Sequence, residues 1–231
     1  MTATARPVGS PVDASPAQLP GPAALSGRFG SVARLDARRD ASHLWQALRG
    51  HDEVWTYMST YGPFADEASL SAWLADRQTL KDPYYYTVLD QSGGALGLAT
   101  LMEIRRAMRV IEVGHIVYSP ALQRTPLATE TQFLLARYVF ETLGYRRYEW
   151  KCDSLNAPSR RAANRYGFIF EGILRQHMIA KGRNRDTAYF SMLDSEWPAR
   201  KRSFERWLAP ENFDSEDRQK LSLAALNGLG A

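Results

Sequence analysis

The run NAPSRRAANRYGF, from Asn156 to Phe168, decides how this chain is read. Asn156 is placed to cap a short helix spanning Pro158 to Tyr166, and Gly167 stops that helix before Phe168 enters a strand. Upstream, Tyr145 to Cys152 reads as a strand, preceded by Gly144 at the end of a helix from about Pro126 to Leu143. Leu127, Leu134, Leu135 and Tyr138 share one face of that helix, with Glu130, Arg137 and Glu141 opposite. Before it, Ile111 to Tyr118 is a β-branched run ended by Ser119–Pro120. The core of the chain is therefore a strand–helix–strand unit followed by a helix.

Working outward, Phe168 to Lys181 and Asp186 to Leu193 form a hairpin across Gly182–Arg183–Asn184, and a final helix runs from Ser195 to Leu208. On the other side, Tyr84 to Asp90 and Ala95 to Glu103 form a hairpin across Gln91–Ser92–Gly93–Gly94. Phe29 to Leu35 reads as the first strand. Asp40 is taken as the cap of a first helix ending at Gly50, and Asp66 to Leu80 is a second. Three consecutive strands followed by a strand–helix–strand unit predict an α/β protein of the α+β kind, with a mixed, twisted sheet of about seven strands. Residues 1–27 hold five prolines and two charges with no apolar period, so a disordered leader is expected there. The domain is expected over 28–208, and a tail of little signal over 209–231.

Composition narrows the function. Hydrophobic residues are 45% and charged residues 23%, and no apolar run approaches the length of a membrane span, so no membrane partner is expected. One cysteine, Cys152, allows neither an internal disulfide nor a cysteine-based zinc cluster and fits a reducing cytoplasm. His115 and His177 have no partner histidines at ligand spacing, so no metal is expected. The net charge of +4 is spread over small arginine groups, which disfavours DNA binding and suits an anionic ligand.

The joint after Tyr118 is where an anion would sit. The loop Gln123–Arg124–Thr125–Pro126–Leu127–Ala128 opens directly into a helix, whose first N–H groups and dipole favour a pyrophosphate. Any strand–loop–helix joint has this property. Combined with Asn156 to Phe168, however, the sequence resembles the GNAT superfamily of acyltransferases, in the branch that includes the Rim-type ribosomal-protein N-terminal acetyltransferases. The resemblance extends over 28–208 and includes Glu112–Val113–Gly114–His115, Glu171–Gly172 and Asp186–Thr187–Ala188–Tyr189. It departs at Pro126, where the family's loop has a glycine, and the proline removes one backbone donor.

The resemblance implies a GNAT-like fold, with helices on both faces of a sheet splayed near Ile111–Tyr118 and Tyr145–Cys152. It implies acetyl-CoA as co-substrate, held by backbone of Ile116 and Val117, by Gln123, Arg124, Thr125, Leu127, Ala128 and Thr129, and by Asn156, Ser159 and Arg160. It further implies that the acetyl group passes by direct attack to a primary amine, with Glu112 accepting the amine proton. Tyr166 stands near where related enzymes protonate the departing thiolate, although a core-packing role competes. Glu112 could equally be a carboxylate paired with an arginine, and Asn156 a plain helix cap. An N-terminal α-amine needs about 1 kcal/mol to lose its proton at pH 7 and a lysine about 5, which favours a protein N-terminus or small amine as acceptor. The aromatic residues Trp55, Tyr57, Tyr61, Phe64, Tyr84, Tyr85 and Tyr86 would flank the acceptor. Two other readings stay open: an acyl-CoA-binding sensor without turnover, and an RNA- or ribosome-directed transferase. A homodimer is left open as well.

Overall fold

The computed structural model of the protein describes residues 6–21, 24–216 and 218–228. Its sheet has eight strands: β1 (Leu25–Ser26), β2 (Gly30–Arg34), β3 (Tyr84–Asp90), β4 (Ala95–Arg105), β5 (Val110–Tyr118), β6 (Arg147–Asp153), β7 (Ile169–Ala180) and β8 (Arg183–Leu193). They lie in the order β1-β2-β3-β4-β5-β6-β8-β7, and only the β5–β6 pair is parallel. That single parallel pair requires a crossover, which is supplied by α3 (Pro126–Arg137) and a closing wide turn at Tyr138–Thr142. The mixed sheet with one crossover agrees with the expected class, with one strand more than the seven anticipated.

Helices cover both faces. Against one face, α1 (Ala37–Leu48) and α2 (Glu67–Arg77) set Leu44, Leu48, Leu70 and Leu74 on Ala33, Tyr85, Leu98 and Val117. Against the other, α3 and α5 (Trp197–Leu208) set Phe133, Leu134, Trp197 and Phe204 on Tyr86, Ile111, Val113 and Trp150, joined at one end by α4 (Ala157–Tyr166). Asn156 caps α4 by accepting the Ser159 N–H, and Gly167 ends it at φ 92, a left-handed value that costs glycine little. The first helix starts earlier than Asp40 predicts. Asp36 caps it, while Asp40 is fully buried in its first turn, held by the Thr87 hydroxyl at 2.6 Å and by Arg39.

Part of the segment expected to be a disordered leader is tied to the domain. The Ala17 N–H donates to Arg106 O, Gln18 N–H to Leu143 O and Gly21 N–H to the Tyr138 hydroxyl, while the Arg106 guanidinium donates to Ala17 O at 2.7 Å. Leu25–Ser26 then joins the sheet as β1. The anchors belong to the surface on which the leader lies, so the leader's own composition does not reveal them. Residues 1–5 and 22–23 of that leader, and 217 and 229–231 of the tail, lie outside the described residues. The described tail also has structure: Asn212 holds Trp207 O and Leu221, and α6 (Leu223–Leu226) buries Leu223 in the main core.

Two local features open a cleft in this frame. The β5–β6 pairing runs from Val110↔Arg147 to Val113↔Trp150 and goes no further. Beyond it β5 stays with β4 as far as Gly97↔Tyr118, and β6 stays with β8 as far as Asp153↔Thr187, so the strands part from Gly114 onward. At the same point β5 bulges. His115, at φ 46, and Ile116 lie between the pairs Thr100↔Gly114 and Leu98↔Val117 and together oppose Ala99.

Candidate active site

The splay is the floor of a cavity of about 1250 Å³. It runs from the N-terminus of α3, across Gly114–Ile116 and Trp150–Cys152, to the loop around Tyr57–Ser59 and the β7–β8 hairpin. One end has arginines without a carboxylate partner among the described residues and a helix N-terminus; the other has a buried carboxylate and a roof.

At the first end, Arg124 takes a left-handed φ of 63 and Pro126 occupies the first helical position. The Thr125 hydroxyl donates to Leu122 O at 2.7 Å and accepts the Ala128 N–H at 3.2 Å. The cap therefore occupies the Ala128 donor that sequence analysis assigns to a pyrophosphate. Gln123 turns its amide back to Tyr118 O, and the Leu127 side chain packs into a small core with Val88 and Leu122. The most enclosed cation here is Arg165 on α4, half-buried where Arg161 is exposed. It donates to the Thr129 hydroxyl at 3.0 Å, stacks over Tyr166 and Trp207 at 5.4 and 5.1 Å, and has its pKa lowered by burial. Arg161 lines the cavity beside it. Arg160 does not: it donates to Ser154 O and lies over Phe170, outside the cavity lining. Phe213, Arg218 and Gln219 from the tail close this end, with Gln219 accepting the Trp207 indole N–H at 2.7 Å.

In the middle, Ile116 lines the cleft, while the Val117 side chain is buried on the opposite face of the sheet. Asn156 also lines it. The Ser159 hydroxyl accepts the Trp150 indole N–H at 3.0 Å. Tyr166 borders the cavity but is 7% exposed, with its ring stacked on Phe204 and tilted against Trp150; burial raises its pKa. Cys152 is a buried thiol whose pKa is likewise raised by burial.

The second end holds Glu112, which is 5% exposed. Its carboxylate meets Lys151 Nζ at 2.8 Å, and the same ammonium reaches Glu149 at 3.2 Å and lies over the Tyr189 ring at 4.8 Å. Glu149 is also paired with Arg147 at 2.7 Å and with Arg105. Burial pushes the Glu112 carboxyl up to about 7, with Lys151 opposing the shift. Burial alone would lower the Lys151 pKa, yet the carboxylates of Glu112 and Glu149 raise it on balance. Near neutral pH, then, Glu112 exchanges its proton while Lys151 stays charged. Gly114 keeps room beside this pair, since a Cβ there would stand 2.4 Å from Met102 Sδ and 3.2 Å from Glu112 Oε1.

His115 shares a 2.8 Å hydrogen bond with the Tyr85 hydroxyl, and burial, with Arg77 and Arg185 nearby, drives its pKa down to about 4. It is a neutral ring at the bulge. Above it the Tyr57 hydroxyl donates to Leu155 O at 3.2 Å, Lys181 Nζ donates to Trp55 O and Gly62 O, and Arg185 donates to the Ser59 hydroxyl at 2.8 Å. These contacts tie the Trp55–Gly62 loop to the hairpin and to the turn before α4. The aromatic group divides accordingly. Trp55, Tyr85 and Tyr86 are buried, Tyr61 and Phe64 pack on Trp73, and Tyr57 reaches the cavity.

The structure thus gathers Glu112, Ile116, Gln123, Arg124, Thr125, Ala128, Thr129, Asn156, Ser159 and Tyr166 around one cavity, and places the side chains of Val117, Leu127 and Arg160 elsewhere. Sequence reasoning missed Lys151, Arg165, Arg185 and the tail. Lys151 alternates with Trp150 and Cys152 as an ordinary member of the polar set Arg147, Glu149 and Lys151, so no local signal marks it. Among the described residues no group of three His, Cys, Asp or Glu side chains is placed to hold a metal.

Comparison with known proteins agrees with this geometry. The family model described as an acetyltransferase (GNAT) domain matches residues 33–169, more than half of the chain. A GCN5-related N-acetyltransferase from Brucella melitensis is similar in structure at TM-score 0.90 and 45% identity, over 94% of this chain and 99% of its own. A GNAT-family structure from Chromobacterium violaceum is similar at TM-score 0.78 and 45% identity, over 85% of this chain and 100% of its own. Among curated proteins, YdaF of Bacillus subtilis, provisionally named a ribosomal N-acetyltransferase, is 28% identical over 47% of this chain. That match spans 59% of the relative's length.

Proposed function

The chain belongs to the GNAT family of N-acetyltransferases, and from that premise we propose that it moves an acetyl group from acetyl-CoA to a primary amine by direct attack, with Glu112 as the base. The observation that carries this reading is the single cavity that joins the α3 N-terminus to Glu112 through the splay.

The residues present suit the coenzyme. Arg124, Arg161 and Arg165 stand beside the α3 N-terminus with no carboxylate partner among the described residues, which suits a pyrophosphate. Thr129 and the tail residues Phe213 and Gln219 border the same space. Pro126 removes one donor and the Thr125 cap engages another, so side-chain cations carry more of the anion binding than in a glycine loop. Backbone of Gly114 to Val117, released from β6, is available to an extended arm, with Asn156 and Ser159 facing it. Bound there, acetyl-CoA supplies an activated acetyl thioester.

The chain's own contribution is a base, a charged partner for it and backbone donors. Glu112, with its pKa near 7, is half ionised at neutral pH and takes the amine's proton directly or through one water. Lys151 holds that carboxylate in place and keeps it ionisable in spite of burial. The bulge at His115–Ile116 sets two residues against one, and the residue left out of the ladder offers its backbone N–H to the negative charge that develops on the acetyl oxygen. Tyr166 is assigned to packing between α4 and α5, because its ring is enclosed by Phe204 and Trp150. Incubation with acetyl-CoA and a panel of primary amines, following free thiol and acetylated product together, tests the reading.

A further inference from the structure

We infer that Arg185 is the acceptor-binding residue of this cleft and that the amine it serves is a small molecule bearing a carboxylate. The inference rests on the acetyl-transfer reading above.

The cations near the acceptor end differ in how they are balanced. Lys151 sits between Glu112 and Glu149, Arg105 and Arg147 meet Glu149, and Arg147 also meets Glu171. Arg185 is different. It lines the cavity, it is part-buried, and its protein partner is the uncharged Ser59 hydroxyl. Its Nε is buried with no hydrogen-bond partner, and among the described residues it enters no ion pair. Asp186, next along β8, is occupied by the Gln176 N–H and the Asn184 amide. Burying an unbalanced guanidinium with an unused donor is costly, and an incoming anion removes that cost.

Neutral side chains, Tyr57, Met58, Ser59, Met178 and Thr187, line the same cavity; its one carboxylate on this side, Asp153, already accepts the Leu155 N–H, and the Lys181 ammonium is turned to Trp55 O and Gly62 O. A single unbalanced guanidinium matches one carboxylate, whose two oxygens fit its planar fork. A dianionic phosphate would call for a second free cation.

Strand register sets the separation. Tyr189 faces Lys151 across the ladder, and Arg185 lies on the same side of β8, two alternations away. At about 3.3 Å per residue that is roughly 13 Å along the strand, shortened by the reach of the arginine. The carboxylate must therefore stand several bonds from the amine, as in an ω-amino acid or a dipeptide. The roof formed by the Tyr57–Leu155, Lys181–Gly62 and Arg185–Ser59 contacts narrows this end and favours a small acceptor over a folded protein.

Two measurements on the full chain decide the matter. The first titrates N-acetyl ω-amino acids of increasing length, and their neutral amides, into protein saturated with coenzyme A. The parent is expected to bind one carboxylate length at least tenfold more tightly than its amide. Arg185→Gln should abolish that difference, Arg185→Lys should keep part of it, and coenzyme A affinity should stay unchanged in both. Equal affinity for acid and amide in the parent overturns the inference. So does an Arg185→Gln variant whose loss is in coenzyme A affinity. The second measurement follows thiol release from acetyl-CoA with the parent ω-amino acids. Carboxylate-selective binding without any thiol release would leave Arg185 as an anion site and refute acetyl transfer instead.

Discussion

Replacing Lys151 by methionine should move the acid limb of the pH–rate profile and leave the plateau nearly in place. The Lys151 ammonium lies 2.8 Å from Glu112. With an effective dielectric constant of about 20, that contact corresponds to about 6 kcal/mol, or about four pKa units, which is a ceiling. Arg105 and Arg147 remain near Glu149 in the variant, and the cavity admits water, so the usual range of about 1–3 units for one adjacent opposite charge applies. The Glu112 pKa of about 7 would then rise to about 8 or beyond. At pH 7 the ionised fraction falls from about one half to about one tenth or less, so kcat/KM should drop about fivefold or more. Parent and variant should converge once the pH exceeds the raised pKa of the variant, while Lys151→Arg should retain most of the parental limb. The assay is thiol release from acetyl-CoA between pH 5.5 and 10, using a weakly basic amine that is already neutral across the range. An unshifted limb, or a loss of equal size at every pH, would refute the pairing argument.

Glu112→Gln should lower kcat by about 100-fold or more with coenzyme A affinity unchanged, as titration calorimetry and steady-state kinetics would show. Arg165→Gln should act oppositely, weakening coenzyme A about tenfold with little change in kcat at saturation. Glu130 is buried and accepts the Arg28 and Phe29 N–H groups at 2.6 and 2.7 Å, so Glu130→Gln should cost about 1–2 kcal/mol in urea unfolding. Glu112 and His115 make opposite contributions to stability against pH. The raised pKa of Glu112 stabilises at acid pH and is lost as pH climbs from 4.5 through about 7, whereas the depressed pKa of His115 stabilises above 6.5 and is lost as pH falls through about 4. Each is worth about 3 kcal/mol, so they nearly cancel in the parent, and Glu112→Gln should expose a fall in melting temperature on acidification below pH 6.5. A melting curve for that variant that stays flat with pH would contradict the assignment.

The sheet and its crossover were legible because their signals are local. Apolar runs on either side of a Gly–Gly turn mark β3 and β4, alternation marks β6, and Gly144, Asn156 and Gly167 punctuate the helices around the splay. What stayed hidden depends on distant partners. Asp40 looks like a cap but is drawn inward by Thr87, 47 residues away, leaving Asp36 to cap. The leader is proline-rich and weakly apolar, yet Arg106, Tyr138 and Leu143 hold its backbone. In the site, Glu112 was visible as a charge out of phase in an apolar strand, but its pairing with Lys151 follows from the β5–β6 register, which no local pattern encodes. Arg160 and Arg165 have equal claims in sequence; helix phase turns one toward Phe170 and the other toward Thr129. Arg185 becomes conspicuous only when its lack of a counter-ion can be seen.

The central claim is acetyl transfer through this cleft, and one reaction tests it most directly. The full chain is mixed with acetyl-CoA and a panel of primary amines, and free thiol and acetylated amine are quantified from the same sample. The account predicts equal amounts of both for at least one amine, with the rate falling about 100-fold in Glu112→Gln. Tight coenzyme A binding with neither product formed for any amine would contradict it.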